Sequence, residues 1–147
     1  MKIAVGSDHA GVTLKARIVD FLSSHQYEPI DCGATVEDGS VDYPDYALLV
    51  ANKVASKECV FGILICGTGI GMCISANKVR GIRAVQVFDV NTTRLSREHN
   101  NANILCLGGR TTTASQAIDL IQIWLTTEFL GGRHERRIEK ISKIENQ

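Results

Sequence analysis

The chain has 147 residues, 44% of them hydrophobic and 22% charged, which is typical of a single globular domain spanning residues 1–147. Sixteen basic and 16 acidic residues give a formal net charge of zero, which argues against a general electrostatic attraction to nucleic acid or an anionic membrane. No apolar run reaches the roughly 20 residues needed to cross a bilayer. We therefore expect neither a membrane nor a nucleic acid as partner.

The first elements alternate strand and helix patterns. The short apolar run at residues 2–7 predicts a buried parallel strand and arrives at glycine and aspartate too early for a signal peptide. Apolar residues three and four apart predict a helix over residues 11–24. A short strand over residues 27–31 contains Pro29, which favours the edge of a sheet, and residues 33–42 predict a polar loop.

The middle of the chain repeats this alternation. Pro44 suits the first turn of a helix over residues 43–56. The apolar segment at residues 60–66 predicts a strand, a glycine turn follows it, and a helix is expected over residues 70–78. Residues 83–88 predict the fourth strand.

The last third predicts a polar helix over residues 90–99, a fifth strand over 103–108, and helices over 113–129 and 133–145. Strands that alternate with helices indicate a Rossmann-like, three-layer α/β fold: a five-stranded parallel sheet with helices on both faces. The final helix has only a narrow isoleucine stripe. We expect it to pack on a partner subunit, with docking on its own chain as the alternative.

The chemistry is expected where the strands end, because ligands of open parallel sheets bind at the carboxyl ends of the strands. The first strand leads into Asp8 and His9, and the third ends at Cys66, shortly before Thr68. Asp8 and His9 are costly to bury without a partner, so a functional role is favoured over a simple helix cap.

Cys66 precedes the amino terminus of a helix, an environment that favours the thiolate form, which can act as a base or a nucleophile. The alternative is an inert core thiol. The five cysteines of the chain include no CxxC pair, which suits a reducing, cytoplasmic setting. No spacing resembles a metal site, and we expect neither a metal nor an organic cofactor.

Gly67, Gly69 and Gly71 permit a turn whose N–H groups can face an anion. A dinucleotide fingerprint would require glycine at position 72, where Met72 stands, but Asp89 could bind a ribose, so a nucleotide site stays open as an alternative. A plain strand–helix turn is the other alternative.

The segment GGRHERR (residues 131–137) places Arg133 and Arg137 about 40° apart around a helix and about 6 Å apart along it, so both can reach one phosphate. A solvated positive face is the alternative, and Arg136 fits that description. Arg110 follows a strand end, and His99 is of interest because Asn100 accompanies it. Together these groups suit proton transfer beside the carbonyl of a small phosphorylated sugar.

The motifs GSDHAG, DYPDYA, ILICGTGIGMCISANK, GIRA, SREHNNANILCLGGR and GGRHERR, in this order over residues 1 to about 145, resemble the type B ribose-5-phosphate isomerases. That family includes galactose-6-phosphate isomerase subunits and enzymes acting on allose 6-phosphate. The resemblance implies an intramolecular oxidoreductase of the pentose phosphate pathway that interconverts ribose 5-phosphate and ribulose 5-phosphate through an enediolate. A hexose 6-phosphate isomerase is the alternative; a non-catalytic nucleotide-binding module and a thiol-dependent hydrolase are weaker ones.

The resemblance also implies roles for individual residues. Cys66 is the catalytic base, Thr68 and the loop amides hold the oxyanion, and His99 assists opening of the furanose ring. It further implies a homodimer or a dimer of dimers with shared sites, in which His99, Asn100 and Arg110 come from the neighbouring subunit. The implied substrate-binding residues are Asp8, His9, Tyr43, Gly67, Gly69, Gly71 and Asn100, and the implied phosphate-binding residues are His9, Arg110, Arg133 and Arg137.

Overall fold

Within residues 1–146, five parallel strands form one sheet in the order β2-β1-β3-β5-β4. The computed structural model describes residues 1–146. The inner strands β1, β3 and β5 are almost continuously buried, as expected for parallel strands covered on both faces. The strands are β1 (Lys2–Ser7), β2 (Glu28–Asp31), β3 (Phe61–Cys66), β4 (Ala84–Gln86) and β5 (Ile104–Gly108).

In the described part of the chain six α-helices accompany the sheet, which confirms the predicted α/β class. Helices α1 and α5 pack on one face, with α4 against α5, while α2 and α3 pack on the other. Because side chains alternate along a strand, Ile63 and Ile65 join the first core and Leu64 and Cys66 join the second. The helices are α1 (Val12–Ser24), α2 (Tyr43–Ala55), α3 (Ile70–Ala76), α4 (Val90–Glu98), α5 (Ala114–Thr126) and α6 (Arg133–Ile144).

The strand register aligns the carboxyl ends of the three central strands. Ser7 at the end of β1 lies opposite Ile65, and Cys66 at the end of β3 lies opposite Gly108. The loops that follow these strands therefore meet at one end of the sheet, which we call the carboxyl end. The opposite end, where the strands begin, is the amino end.

The two edge strands are protected differently. β2 contains Pro29, as predicted for an edge. On β4 the side-chain amide of Asn77 accepts from Ala84 N at 2.8 Å and donates to Ala84 O at 2.9 Å. Asn77 thus occupies the outer hydrogen-bonding groups of Ala84 as a neighbouring strand would, which blunts that edge against pairing with another chain.

Helix α6 docks on its own chain near both ends. The ring of His134 stacks on that of His99, and the Glu145 carboxylate accepts from Gly81 N at 3.1 Å. Ile141 and Ile144 nevertheless remain 41% and 66% exposed. Docking on the same chain therefore occurs, while the expected packing on a partner subunit stays a prediction.

Two elements are shorter than predicted by three or more residues. β4 covers three residues, Ala84–Gln86, instead of 83–88, and its ladder runs along β5 alone. Helix α5 ends at Thr126, because the hydroxyls of Thr126 and Thr127 donate back to the carbonyls of Gln122 and Ile123 at 2.8 and 2.6 Å, and Thr127 is extended. Hydroxyls that bond to the backbone compete with helix continuation.

Candidate active site

Cys66 is the last residue of β3 and is 4% exposed. The N–H of Gly69 donates to its sulfur at 3.1 Å, so the chain folds back over the thiol within three residues. A hydrogen-bond donor aimed at sulfur stabilises the thiolate relative to the thiol. The end of β3 therefore presents a sulfur atom that a backbone amide contacts directly.

The turn requires glycine for steric reasons. Gly69 has φ of 83°, and a Cβ there would lie 2.9 Å from the carbonyl carbon of Leu107. A Cβ at Gly71 would lie 2.6 Å from the ring of Tyr43, which packs over the start of α3. Because Gly71 has no side chain, the ring of Tyr43 can lie against the same loop that contacts Cys66.

Arg110 belongs to the same loop cluster. Its N–H donates to Gly67 O at 3.0 Å, and its guanidinium lies 3.2 Å from where a Cβ of Gly67 would stand. We expected Arg110 to act together with His99 and Asn100 from another subunit. Within one chain Arg110 lies apart from His99 and Asn100, because the tight turn after β5 folds it back onto the turn after β3. Its supply from another subunit stays a prediction.

Asp8 and His9 follow β1 at the same end of the sheet. Asp8 is 6% exposed, its N–H donates to Ile65 O at 3.2 Å, and its Oδ1 accepts from Ala10 N at 2.9 Å. It does cap a short 3₁₀ turn at residues 9–11, the alternative considered for it, yet that cap uses only one carboxylate oxygen. The capped turn holds Asp8 beside the end of β3.

The ring of His9 is anchored through Nδ1, which lies 3.2 Å from Val41 N and 3.3 Å from Val41 O. Within residues 1–146, Nε2 has no hydrogen-bond partner, and the residue is exposed. His9 therefore offers one free ring nitrogen to a ligand at the carboxyl end of the sheet.

A second cluster lies at the amino end of the sheet. His99 caps the carboxyl terminus of α4, and its ring stacks on His134 with centroids 4.1 Å apart and planes 8° apart. Leu130 N donates to Glu98 O at 3.1 Å, which ties the segment before α6 to α4. Exposed Arg133 and Arg137 flank His134 on α6, while Asn100 follows His99.

The sequence gives no signal for His134 within GGRHERR, because its contact with His99 depends on where α6 docks. Burial lowers the pKa of His134, and the nearby His99, Arg133 and Arg137 lower it further. A neutral imidazole under the ring of His99 fixes the orientation of that ring without adding positive charge to the cluster.

Within one chain, the two clusters lie at opposite ends of the sheet. His99 and Asn100 lie in the loop before β5, whereas Arg110 follows the strand. The five residues of β5, Ile104–Gly108, span roughly 16 Å at about 3.3 Å per residue. The predicted site residues therefore divide into a Cys66 cluster (Asp8, His9, Tyr43, Cys66, Gly67, Thr68, Gly69, Gly71 and Arg110) and a His99 cluster (His99, Asn100, Arg133, His134 and Arg137).

Two further thiols lie close to the Cys66 cluster. Hydrogen bonds from the Cys106 thiol and from the backbone N–H of Gln86 lower the pKa of Cys73 to about 7. Burial raises the pKa of Cys106 far above its usual value. The ionisation of Cys73 is set by tertiary neighbours that the sequence pattern does not reveal.

Asp89 was considered as a ribose-binding acid. It is the N-cap of α4: Oδ1 accepts from Thr92 N at 2.9 Å and Oδ2 from the Thr92 hydroxyl at 2.7 Å. These bonds lower the pKa of its carboxyl group. Because both oxygens already serve the cap, Asp89 gives little support to a nucleotide site.

Over residues 1–146, no three His, Cys, Asp or Glu side chains are arranged to hold a metal ion. In the same residues, no helix has the length and apolar character to span a membrane. The Cys66 cluster combines a thiol with backbone N–H donors, and each cluster carries cationic or imidazole groups for an anion.

Known proteins resemble this chain over nearly its full length. A family model described as Ribose/Galactose Isomerase matches residues 3–141. The structure of Clostridium thermocellum ribose-5-phosphate isomerase B is 53% identical, with a TM-score of 0.96 over 99% of this chain and 98% of that one. Ribose-5-phosphate isomerase B of Escherichia coli is 45% identical over 146 residues, 99% of this chain and 97% of the relative.

A further similar structure is ribose-5-phosphate isomerase B of Mycoplasma genitalium with bound ribulose-5-phosphate. It is 46% identical, with a TM-score of 0.94, over 99% of this chain and 97% of that one.

Proposed function

Because the chain belongs to the ribose/galactose isomerase family, we propose that it is an aldose–ketose isomerase interconverting D-ribose 5-phosphate and D-ribulose 5-phosphate. The relatives named ribose-5-phosphate isomerase B support this activity, and the structure with bound ribulose-5-phosphate supports the substrate. The observation that carries the proposal is the thiol of Cys66, which receives the Gly69 N–H at the end of β3.

Cys66 acts as the base. Its thiolate removes the proton from C2 of the open-chain aldose, and the electron pair passes through C1 to the carbonyl oxygen, giving an enediolate. The same sulfur returns the proton to C1, while the proton on O2 passes to O1. The product is the ketose, and the thiolate is regenerated without any cofactor in this scheme.

Thr68 and the amides of the turn from Gly67 to Gly71 stabilise the oxyanion. The first turn of a helix leaves N–H groups without intrahelical partners, and α3 begins at Ile70. Donors fixed before the reaction are effective because they need not reorganise when charge develops. The Thr68 hydroxyl accepts from Ile70 N at 3.3 Å and keeps its own proton free to donate.

His9, Arg110, Arg133 and Arg137 bind the phosphate, and Tyr43 lines the pocket. Asp8 holds sugar hydroxyls, His99 assists ring opening, and Asn100 holds the reacting end of the substrate. The free Nε2 of His9 and the exposed guanidinium of Arg110 lie at the carboxyl end of the sheet, where Cys66 is.

A complete site requires a second copy of the chain. The Cys66 cluster contains the base, whereas the His99 cluster contains the ring-opening histidine and two of the arginines, and the sheet separates them within one chain. We infer a homodimer, alone or within a dimer of dimers, in which the Cys66 cluster of one subunit faces the His99 cluster of the other. A two-fold axis would create two such sites.

The test is Cys66→Ala, assayed with ribose 5-phosphate in parallel with allose and galactose 6-phosphates. We expect kcat to fall by about 10²–10⁴-fold, because general base catalysis contributes a factor of that size. Cys32→Ala removes a half-buried thiol outside the cluster and should keep wild-type turnover.

Near-normal turnover of Cys66→Ala would contradict the assignment of the base. A higher kcat/KM for either hexose phosphate than for ribose 5-phosphate would replace the pentose with the hexose as substrate.

A further inference from the structure

The peptide bond between Thr68 and Gly69 has a special position in the glycine turn. Its N–H, from Gly69, donates to the sulfur of Cys66 at 3.1 Å. The peptide is trans, so its C=O, from Thr68, points the opposite way in the same plane. Whatever holds the Thr68 carbonyl therefore also sets the direction of the N–H that reaches the sulfur.

Gln86 holds that carbonyl. It is the last residue of β4, and its Nε2 donates to Thr68 O. In the register of the sheet Gln86 lies opposite Cys106, and it shares a face with Ala84, which packs in the core under α2 and α3. The side chain thus reaches from the edge strand, past β5, to the turn that follows β3.

The turn is shaped to receive this side chain. A Cβ at Gly69 would lie 3.2 Å from Nε2 of Gln86 and 2.9 Å from the carbonyl carbon of Leu107. Glycine therefore permits both the left-handed backbone and the close approach of the amide. A carbonyl that accepts a hydrogen bond polarises its peptide, which strengthens the donor on the other side.

We propose that Gln86 is a positioning residue that, through the Thr68–Gly69 peptide, aims the Gly69 N–H at the Cys66 sulfur. The proposal rests on the proposed function only in naming Cys66 as the base. The hydrogen-bond chain itself runs from the Gln86 amide through one peptide to the sulfur and needs no substrate.

The test measures alkylation of Cys66 by iodoacetamide as a function of pH, with each cysteine resolved by peptide mass spectrometry. Gln86→Met keeps the length of the side chain and removes the donor. We expect the rate of Cys66 alkylation at pH 7 to fall about three- to ten-fold, since the Gly69 N–H is no longer held toward the sulfur. With ribose 5-phosphate, kcat should fall about three- to ten-fold while KM changes less than two-fold.

Cys73 provides an internal control in the same samples. Its pKa of about 7 depends on the Cys106 thiol and on the backbone N–H of Gln86, and Gln86→Met leaves both in place. Its alkylation profile should therefore stay unchanged. Val85→Ala loosens the same strand on the opposite face and should move neither profile. The other ionisable groups near Cys66, namely Asp8, Cys106 and Arg110, are common to all variants.

Gln86→Lys restores a donor at this position and should return the rate of Cys66 alkylation to the wild-type value or above it. An unchanged Cys66 profile in folded Gln86→Met overturns the proposal, as does a Gln86→Lys profile that matches Gln86→Met. The alkylation readout needs no turnover. If Cys66→Ala remains active while Gln86→Met still slows Cys66 alkylation, the assigned base is wrong and the positioning role stands.

Discussion

At the carboxyl end of the sheet, the groups of the Cys66 cluster are held from several directions, whereas the His99 cluster at the amino end is held mainly by one stacked pair of rings. Cys66 is buried and receives a backbone N–H, Asp8 caps a turn, and Arg110 is bonded to Gly67. Arg133 and Arg137, by contrast, are exposed on α6. The contrast supports the proposal that one chain preorganises the reacting centre, while the proposed phosphate and ring-opening groups would reach their final position against a partner.

The strongest test of this contrast combines two defective chains. One carries Cys66→Ala and the other carries His99→Asn with Arg137→Ala, and a heterodimer is purified through two different tags. If sites are shared, one of the two sites in the heterodimer regains both intact clusters, so activity should reach about half of wild type. Each parent alone should retain below about 1% of wild-type kcat/KM.

A heterodimer as inactive as its parents would show that each chain completes its own site. The matched control is a heterodimer of wild type with the Cys66→Ala chain, which has one intact site under either arrangement and fixes the half-activity reference.

The next test compares two glycines, one in each region. Gly69 (φ 83°) and Gly131 (φ 64°) both occupy the left-handed region, where an alanine costs about 1–2 kcal/mol. A Cβ at Gly69 also meets the Leu107 backbone at 2.9 Å, whereas none is met within 4 Å at Gly131. We expect Gly69→Ala to lower the free energy of unfolding by about 3 kcal/mol and kcat by about 10²-fold.

Gly131→Ala should lower the free energy of unfolding by about 1 kcal/mol and leave kcat within about two-fold of wild type. Urea unfolding and steady-state kinetics on both variants provide the measurement. Equal losses of kcat would mean that the carboxyl end is no more tightly organised than the segment before α6.

A smaller effect is expected for the proposed phosphate contact on α6. Arg137→Ala should raise KM for ribose 5-phosphate about 10-fold with little change in kcat, because a charge-assisted hydrogen bond to the phosphate stabilises ground and transition states alike. Arg136→Ala, one residue away on the exposed surface of the same helix, is the control and should leave KM within two-fold. An unchanged KM in Arg137→Ala would remove that residue from the site.

The residues of the Cys66 cluster were easier to predict from the sequence than the contacts of the His99 cluster. Cys66 ends a strand and Asp8 and Arg110 follow strands, so the rule that parallel strands share a carboxyl end was enough to expect all three at that end. Apolar runs also predicted where most strands begin and end. The exception is β4, whose outer edge pairs with the side-chain amide of Asn77 and not with another strand.

Gln86 and His134 were not predicted, because their contacts depend on how distant segments of the chain pack together. The reach of Gln86 to Thr68 requires the order β3-β5-β4, which no local pattern encodes. The stack of His134 on His99 requires α6 to return to the end of α4. The division of the site between two ends of the sheet likewise follows from the direction of α4, since His99 closes a helix that begins beside the carboxyl end of β4.

The smallest expected effect concerns pH and the stacked pair. An unfolded histidine has a pKa of about 6.5, and burial with the neighbouring cations holds the pKa of His134 below that value. Between these two values the unfolded state binds more protons than the folded state, so stability falls as pH decreases through about 6.5. His134→Phe keeps an aromatic ring against His99 but does not titrate. The fall in Tm between pH 7 and pH 5 should therefore be smaller in this variant, by no more than a few degrees.

His25→Gln, which removes a different histidine, shows whether the change is specific to position 134. A pH dependence in His134→Phe as steep as in wild type would mean that His134 titrates alike in the folded and unfolded chains. The contact with His99 would then not affect the protonation of His134, and the His99 cluster would contain no rigid element. If instead the slope decreases as expected, the His99–His134 pair is the one rigid element of the amino-end cluster, around which a partner subunit would align Arg133 and Arg137.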